Sequence, residues 1–412
     1  MNKKYDLCII GAGAAGLMAA ITASQSGAQT ALFEKNTTAG RKLLITGGSR
    51  CNVTHRASPR DFANVCSPFD RFLRHSIYEF SPDNMIEFLS QLGIDTITEP
   101  DGSVFPKSQK ALDIKQALCS KAAEEGTRFF YDKAVTELIK TNNAFIVKHN
   151  AGQIEAEKVI IATGGLSYPK TGCTGDGYKF AEQLGHTIKK PQSCLAPLVT
   201  KEYWVGRLAG VGISKVSLLI DGDKKKNQLT GPLIFTSDGI GGPAVLNFSR
   251  QILPRLNSGS VSITVDLMPD IQEDKIASWL NTLCEDNPKK ELTNLLSEKL
   301  PRSITSEISK LADIKPSIKA ASLSKKARLE LTKKIKKLPL TVTALKPVEN
   351  ATVTRGGVCI EQINPKTMES EKCPGLFFAG EVMNIDGPCG GYNLQIAFST
   401  SVLAAKSAIG RQ

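Results

Sequence analysis

The chain has 412 residues, 41% of them hydrophobic and 22% charged, with a formal net charge of +12, which is typical of a globular protein of two or three domains. No apolar run reaches the ~20 residues of a membrane-spanning helix, which excludes a helical membrane protein. The 10 cysteines include no CxxC pair and the 4 histidines show no ligand spacing, so neither a metal site nor a dithiol redox pair is predicted.

The N-terminal stretch predicts a dinucleotide-binding βαβ unit. Leu7–Ile10 is a short apolar run typical of a buried parallel strand, and the glycine-rich sequence Gly11–Gly16 follows it directly. An alanine-rich helical segment then runs to Gly27, a typical helix-ending glycine. A second short strand, Ala31–Phe33, ends at Glu34.

Each part of this motif has a physical role toward a pyrophosphate. Gly11 permits the tight strand-to-helix turn, Gly13 lets backbone N–H groups approach the phosphates, and Gly16 lets the helix pack closely on the strand. The helix N-terminus favours negative charge, and Glu34 can accept hydrogen bonds from ribose hydroxyls. Lysines before this stretch resemble the start of a signal peptide. Cleavage would remove the nucleotide-binding turn, so we expect a cytoplasmic protein.

The next segments are predicted to be a glycine-rich loop and several helices. Ala39–His55 is rich in glycine and basic residues, which suits an anion such as the pyrophosphate or a charged flavin ring. Asp61–Gly93 and Ala111–Gly126 have helical patterns. Ser81 is expected to cap a helix that has Pro82 in its first position.

Two later strands are predicted to bring more backbone toward the ligand. Thr127–Tyr131 is one of them, after which Val135 could meet an adenine through main-chain atoms. A hairpin is expected to turn at 142–143. Val159–Ala162 is a buried strand that leads into Thr163–Gly165, a second glycine turn.

Proline-bounded crossings at Pro191–Pro197 and Pro339–Pro347 frame an inserted region, in which strand-like runs precede a lysine-rich helical part. We therefore predict a discontinuous nucleotide-binding domain at 1–195 and 342–412, an inserted β-rich domain at 196–270 and a helical, lysine-rich subdomain at 271–341.

A second glycine-rich segment, Phe235–Arg250, could be mistaken for another dinucleotide site. Its glycine spacing differs, Pro243 lacks the N–H that a phosphate would need, and no acid closes a βα unit. We interpret it as a structural turn, so the sequence has no second Rossmann motif for NAD(P)H.

The segment Lys315–Lys346 carries ten basic residues and one acid, Glu330. A run of this kind is either a solvated helical face or a surface for nucleic acid or another anionic partner.

The C-terminal part returns to the nucleotide-binding pattern. Leu376–Ala379 is a buried strand, and Gly380 and Glu381 follow it. A glycine-rich turn then leads to a helix that starts near Tyr392. The N-terminus of such a helix suits the pyrimidine end of a flavin and would stabilise its reduced, anionic form.

With these motifs in place, the chain resembles the two-dinucleotide-binding flavoproteins of glutathione reductase-like fold. Within them it is similar to the bacterial flavoprotein family that includes BaiN-type reductases and aminoacetone oxidase-like proteins. The resemblance covers nearly the whole chain and rests on GAGAAG, GRKLLITGGSRCNVT, YPKTGCTGDGYKFAEQLGHTI, GPLIFTSDGIGGPAVLNFSR, TRGGV and PKTMESEKCPGLFFAGEVMNIDGPCGGYNLQIA. It implies an α/β fold, in which a Rossmann-like FAD-binding domain of glutathione reductase type carries an inserted β-rich plus helical domain, with FAD bound non-covalently.

The resemblance also implies which residues hold the FAD. They are Gly11, Ala12, Gly13, Ala14, Ala15 and Gly16 at the pyrophosphate; Glu34 at the adenosine ribose; Lys35, Arg41 and Lys42 near the phosphates or ribose; Thr46, Gly47, Arg50, Cys51 and Asn52 toward the ribityl chain and isoalloxazine; Val135 at adenine; Thr163 and Gly164 close by; and Gly380, Glu381, Asp386, Gly391, Asn393 and Leu394 over the flavin. The chain departs from the family where Ser49 replaces a usual Gly and Ile396 replaces a common Trp. We expect such departures to affect the substrate pocket rather than FAD binding.

The expected function is that of an FAD-dependent oxidoreductase, which moves a hydride through flavin N5 to or from a small organic substrate. NAD(P)H is a candidate electron donor, and the sequence leaves open whether the enzyme is a reductase or an oxidase, what its substrate is and how it oligomerises. No general acid or base is identified. Arg50, Cys51 and Cys389 are candidates by their place near the ring, although a packed thiol without redox function is favoured for both cysteines.

The alternative function is a nucleic-acid-associated flavoprotein with an RNA-modifying or regulatory role. The basic run Lys315–Lys346 motivates it, but that run lacks aromatic residues for base stacking.

Overall fold

The computed structural model describes residues 4–410. The chain forms two compact units, each with its own cluster of buried apolar side chains. The segment up to Ser193 and the segment from Val348 onward make one, called here the Rossmann unit, and Cys194–Pro347 makes the other, called the barrel unit.

The first segment of the Rossmann unit alternates short strands and helices. Its strands are β1 (Lys4–Ile10), β2 (Thr30–Phe33), β3 (Thr54–His55), β4 (Thr96–Thr98), β5 (Ser103–Pro106), β6 (Arg128–Phe130), β7 (Val135–Lys140), β8 (Phe145–His149), β9 (Gly152–Ile161) and β10 (Ile188–Cys194). Its helices are α1 (Ala14–Gln25), α2 (Pro59–Val65), α3 (Asp70–Glu79), α4 (Pro82–Gln91), α5 (Ala111–Glu124) and α6 (Asp176–Gln183).

The barrel unit combines antiparallel strands with a helical stretch. Its strands are β11 (Leu198–Thr200), β12 (Gly212–Ile220), β13 (Leu229–Thr236), β14 (Gly239–Gly241), β15 (Val261–Asp266) and β16 (Leu338–Leu345). Its helices are α7 (Pro243–Leu256), α8 (Glu273–Asp286), α9 (Leu292–Leu296), α10 (Arg302–Leu311) and α11 (Lys325–Lys336).

The chain then returns to the Rossmann unit and completes its central sheet. This last segment contains β17 (Val353–Val358), β18 (Leu376–Phe378) and α12 (Tyr392–Ala408). The central sheet has the order β6-β2-β1-β9-β8-β7. On the side of β9 that faces away from β1, the first part of the strand pairs with antiparallel β8 and its last residues pair with parallel β18.

This topology positions the functional motifs. Strands β1, β2, β9 and β18 are joined by parallel pairings, so their carboxyl ends meet at one edge of the sheet. The motifs at Gly11, Glu34, Thr163 and Gly380 each follow one of these four strands. Ligands of open α/β sheets bind at this edge.

Local sequence signals explain the helix boundaries. Ser81 caps α4, because its hydroxyl accepts from the Asn84 N–H while the Asn84 side chain accepts from the Ser81 N–H, and Pro82 occupies the first turn. Gly27, with φ of +85°, follows the end of α1. Both predictions are confirmed.

The strands of the barrel unit close in the order β11-β14-β13-β12-β15-β16. A Cβ on Gly239 would lie 1.8 Å from the Leu198 carbonyl oxygen, so only glycine permits the contact of β14 with β11. Strand packing thus explains a glycine of the segment Phe235–Arg250, which was interpreted above as a structural turn. Barrel and helical residues share one buried cluster, and residues 342–345, which the sequence analysis assigned to the nucleotide-binding domain, lie in β16 of the barrel.

The predicted fold class, a Rossmann-type domain with an inserted β-rich and helical region, is confirmed. No helix among residues 4–410 is long and apolar enough to cross a bilayer.

A buried histidine supports the interior of the Rossmann unit. His186 is 4% exposed, lies edge-on to the Phe378 ring, and has its Nε2 2.7 Å from the Ser370 hydroxyl. That hydroxyl oxygen also accepts from the backbone N–H groups of Lys372 and Cys373. Burial, together with the charge of Lys372, lowers the pKa of His186 to about 4.

This histidine predicts a pH dependence of stability. The unfolded chain takes up a proton near the ordinary pKa of about 6.5, whereas folded His186 does so only near pH 4. The contribution of neutral His186 to the free energy of unfolding is therefore fully present above pH 6.5. About 3 kcal/mol of that free energy should be lost as the pH falls from 6.5 to 4. Urea unfolding of the wild type and His186→Gln, followed by circular dichroism across this range, should show a flatter profile for the variant. Identical profiles would contradict the assignment.

Candidate functional site

The glycine turn after β1 is built around close backbone contacts. A Cβ on Gly11, whose φ is +99°, would lie 2.7 Å from the Ala162 carbonyl oxygen, and a Cβ on Gly16 would lie 1.8 Å from that of Gly11. No other atom lies within 4 Å of the Cβ position of Gly13, which is partly exposed. The fold itself therefore requires Gly11 and Gly16, whereas Gly13 leaves open space at the N-terminus of α1.

Glu34 is held at the same turn. Its Oε2 accepts from the Ala12 N–H at 3.2 Å, and its Oε1 accepts from the backbone N–H and the side-chain amide of Asn36. The Asn36 side-chain oxygen in turn accepts from Arg41 at 2.6 Å. The Glu34 carbonyl accepts from the Lys133 N–H at 3.1 Å, which brings the segment before Val135 beside the predicted ribose site.

The Glu381 carboxylate joins segments that are far apart in sequence. Its Oε2 accepts from the Lys42 ammonium at 2.7 Å, and its Oε1 accepts from the Ser167 hydroxyl at 3.0 Å and the Thr354 N–H at 2.8 Å. Lys42 also donates to the Ser167 hydroxyl at 2.6 Å. The Thr354 hydroxyl accepts from the N–H groups of Leu166 and Ser167. We call Lys42, Ser167, Thr354 and Glu381 the Glu381 network.

This network keeps a cation at the site. Burial is the largest influence on Lys42 and opposes its charge, but Glu381, with smaller contributions from Cys173 and Tyr168, reverses that effect and raises the Lys42 pKa. Lys42 is therefore protonated at neutral pH. Lys35 is likewise paired, with Asp176 at 2.6 Å and with the Thr174 hydroxyl.

The predicted flavin loop and the C-terminal glycine turn lie against each other. A Cβ on Gly391, whose φ is +90°, would lie 2.2 Å from the Thr54 carbonyl oxygen and 2.7 Å from Asn52 Oδ1. A Cβ on Gly47 would lie 2.8 Å from the Asn52 N–H nitrogen, and the Thr46 hydroxyl donates to the Leu43 carbonyl at 2.7 Å.

Three buried polar atoms at these segments have no hydrogen-bond partner in the structure: Asn52 Oδ1, Thr54 Oγ1 and Thr163 Oγ1. Buried polar atoms are nearly always paired. Asn52 Oδ1 lies at the Gly391 turn, where a polar ligand would complete its hydrogen bonding, whereas Thr163 Oγ1 faces Gly177 in α6.

Other predicted residues line the same sheet edge through backbone contacts. Ala14 and Ala15 begin α1, and a Cβ on Gly380, whose φ is +72°, would lie 3.0 Å from Ala15 Cβ. A Cβ on Gly164 would lie 3.2 Å from Cys173 Sγ. Leu394 is partly buried against the core.

Two predicted side chains are engaged by protein partners instead. Arg50 pairs with Glu99 at 2.7 Å, donates to Gln109 and lies over the Phe105 ring at 3.9 Å. Asp386 is fully buried and accepts two hydrogen bonds from Arg355, at 2.6 and 2.7 Å.

The remaining candidates have packing roles in the structure. The Asn393 side chain accepts from the Gly387 N–H and donates to the Gly387 and Pro388 carbonyls, which fixes the turn before α12. Cys51 is fully buried, and burial raises its pKa to about 11, which keeps it a thiol at neutral pH. Cys389 is partly exposed.

Sequence reasoning missed Ser167, Thr354 and Arg355. The signal for the latter two was the TRGGV motif, which the resemblance quoted without a role. Ser167 follows the glycine turn after β9, and only the folded chain brings it to Glu381.

The sheet edge, the glycine turns and the acid after β2 define the class: a flavoprotein with a Rossmann-type FAD-binding domain. The chain belongs to the family described as "HI0933-like protein Rossmann domain", whose profile matches residues 5–407.

Full-length relatives agree with this membership. The chain is 30% identical over 407 residues to the 3-dehydro-bile acid delta(4,6)-reductase of Clostridium scindens, covering 98% of each chain. It is also 30% identical over 413 residues to the ribosomal RNA dihydrouridine synthase of Escherichia coli, covering 99% of this chain and 98% of the relative.

Solved structures share the fold at lower identity. A 3-ketosteroid-delta4-(5alpha)-dehydrogenase from Rhodococcus jostii RHA1 has a TM-score of 0.53 and 15% identity, over 98% of this chain and 96% of that one. A variant of the quinol fumarate reductase subunit FrdA from E. coli has a TM-score of 0.54 and 18% identity, over 100% of this chain and 71% of that one.

The chain is thus an FAD-dependent oxidoreductase. The residues present fit the cofactor, because open space lies at Gly13 and the buried Asn52 Oδ1 beside the Gly391 turn has no hydrogen-bond partner among the described residues.

Gly13→Val tests the pyrophosphate position without disturbing the fold. The open space accepts a side chain, so the variant should fold, whereas its FAD affinity should fall roughly tenfold to a hundredfold because phosphate loses charge-assisted hydrogen bonds. The flavin-to-protein absorbance ratio after reconstitution measures this. Gly212→Val in β12, where the nearest atom to the Cβ position is 3.6 Å away, is the matched control. Full FAD occupancy in Gly13→Val would refute the placement.

Ser49 predicts a stabilising substitution. Its φ is +68°, in the left-handed region, and it follows Gly47 and Gly48, which share that conformation. Ser49→Gly should raise the free energy of unfolding by up to about 1 kcal/mol, because a side chain is strained there. Ser120→Gly, at an exposed position of α5, should instead lower the free energy of unfolding by about 0.5 kcal/mol. Urea titrations compare the two, and equal destabilisation would count against strain at Ser49.

Proposed function

We propose that this protein reduces a carbon–carbon double bond conjugated to a carbonyl group, with FAD as its cofactor and NAD(P)H as the electron donor. In such a reduction a hydride adds to the electron-poor carbon remote from the carbonyl, and a proton adds to the carbon next to it.

The relatives at 30% identity carry this proposal. The name of the C. scindens relative describes reduction of delta(4,6) double bonds in a 3-dehydro acid, and that of the E. coli relative describes formation of dihydrouridine. A 3-keto group makes the first substrate an enone, and the uracil double bond is likewise conjugated to a carbonyl. One reaction type on two kinds of substrate accounts for both names.

The proposed roles of the site residues follow from their contacts. Gly11–Gly16 and the N-terminus of α1 would bind the pyrophosphate, and Glu34 would bind the ribose. The Glu381 network would fix the turn that follows β18 against the ribityl chain. The N-terminus of α12, preceded by Gly391 with its positive φ, would favour negative charge at the pyrimidine end of the ring.

When bound, FAD supplies the hydride chemistry at its N5. The contributions of the chain are to hold the cofactor, to keep Lys42 charged beside Glu381 and to offer the unpartnered side-chain oxygen of Asn52. Neither buried Cys51 nor the paired Arg50 is needed for this scheme.

A second candidate substrate is a uracil base within RNA. The observation that favours it is charge: the barrel unit holds 24 Lys and Arg against 15 Asp and Glu, which is +9 of the +12 of the chain. A small acidic or neutral substrate would not account for that concentration of positive charge.

Anaerobic spectroscopy and product analysis test the proposal. NADH or NADPH should bleach the long-wavelength flavin band, and a 3-keto steroid with a delta-4 double bond, or RNA that contains uridine, should restore it. The matching saturated ketosteroid should not. Product mass should rise by two hydrogen atoms. Bleaching by an amine with peroxide release in air, and no reoxidation by any conjugated acceptor, would make the protein an oxidase instead.

A further inference from the structure

Six lysines of the barrel unit form one exposed group, called here the lysine surface: Lys289, Lys290, Lys315, Lys319, Lys325 and Lys326. Backbone hydrogen bonds bring its two stretches together, since the Ala320 N–H donates to the Lys290 carbonyl at 3.0 Å and the Leu292 N–H donates to the Ile318 carbonyl at 2.9 Å. Glu291 and Lys319 form an antiparallel bridge. A short 3-10 turn then leads to Ser324, which caps α11 just before Lys325.

The lysine surface lacks ion pairs within the described part of the barrel unit. Among the described residues, none of its six lysines forms an ion pair, and Glu291 is the acid that lies between them in the bridge. Other lysines of the run Lys315–Lys346 do form ion pairs.

Three later lysines of the run Lys315–Lys346 are paired: Lys333 with Glu330 at 2.8 Å, Lys336 with Asp266 at 2.6 Å, and Lys337 with Glu273 at 2.6 Å. The six lysines of the lysine surface, two of which begin α11, have no such ion pairs within residues 4–410.

This position is unfavourable for the helix itself. Lys325 and Lys326 lie in the first turn of α11, which contains no acidic residue. Cations at the positive end of the helix dipole cost about 0.3–1 kcal/mol each at low ionic strength. Folding stability therefore does not explain these lysines, whereas an anionic partner would remove the cost.

We infer that the lysine surface docks the phosphate backbone of RNA, so that a uridine of that RNA can be reduced. This inference rests on the second candidate of the proposed function. Exposed lysines without ion-pair partners are suited to phosphates and supply sequence-independent, salt-dependent binding. RNA carries one phosphate per nucleotide, and this repeated negative charge suits six lysines that come from several segments of the chain. A single small anion would engage only one or two of them.

A triple substitution with a matched control tests the docking surface. Lys315→Ala/Lys319→Ala/Lys326→Ala removes three charges from the lysine surface. Lys190→Ala/Lys366→Ala/Lys372→Ala removes three exposed lysines from the Rossmann unit. Flavin-loaded full-length proteins are titrated into fluorescein-labelled ribosomal RNA, transcribed in vitro without modifications, between low and moderate salt.

The first variant should bind roughly a hundredfold more weakly at ~0.1 M salt, and its salt exponent should fall by about 2, because three single-strand phosphate contacts are lost. The control should bind as the wild type does. Equal binding by both variants, or wild-type binding to phosphatidylglycerol vesicles but not to RNA, would overturn the inference.

Turnover separates this inference from the function on which it rests. Both variants should keep wild-type rates on a 3-keto, delta-4 steroid if that steroid is turned over at all, because the lysine surface is not part of the FAD site. If the wild type binds RNA through the lysine surface yet produces no dihydrouridine, the RNA form of the proposed function fails and the docking surface stands. If dihydrouridine forms equally well with the first variant, the docking surface fails and the function stands.

Discussion

The predicted FAD site depends on one carboxylate. Glu381 accepts hydrogen bonds from Lys42, Ser167 and Thr354, which belong to three segments that are distant in sequence. Glu381 itself comes just after β18, the strand that pairs in parallel with the end of β9. Because a partly buried carboxylate without partners would be costly, these contacts hold the three segments together at the sheet edge where FAD is predicted to bind.

The glycines of the site divide into two physical kinds. Gly11, Gly16 and Gly391 are required by the protein itself, since a side chain would overlap a neighbouring backbone oxygen. Gly13 has no such neighbour. A single motif thus combines residues that the fold needs with one whose side-chain space the fold leaves open, and only the structure separates them.

Much of the Rossmann unit could be predicted because its signals are local. The apolar strands, the glycine turn, the acid after β2 and the Ser81 cap each lie within a few residues of the feature they specify. Arg50 and Asp386 could not be assigned in this way. Their partners, Glu99 and Arg355, come from other segments, and no local pattern records such a pairing.

The same limit applies to the barrel unit. Its strands were recognisable as apolar runs, but the closure of β16 onto β11 and β15 is a long-range pairing. The lysines of the basic run looked alike in sequence, and their division into paired and unpaired groups depends on acids such as Asp266 and Glu273.

One side of β9 pairs with both β8 and β18, and this has a consequence for synthesis of the chain. The part of that side that β18 covers stays unpaired at first, because residues 376–378 are translated only after the whole barrel unit. Until then the nascent sheet has an open apolar edge, of the kind that invites pairing with other chains. The last segment also carries Glu381 and α12. The predicted FAD site is therefore complete only after the barrel unit has been made, and a chain that stalls within that unit would be a candidate for chaperone binding rather than a partial enzyme.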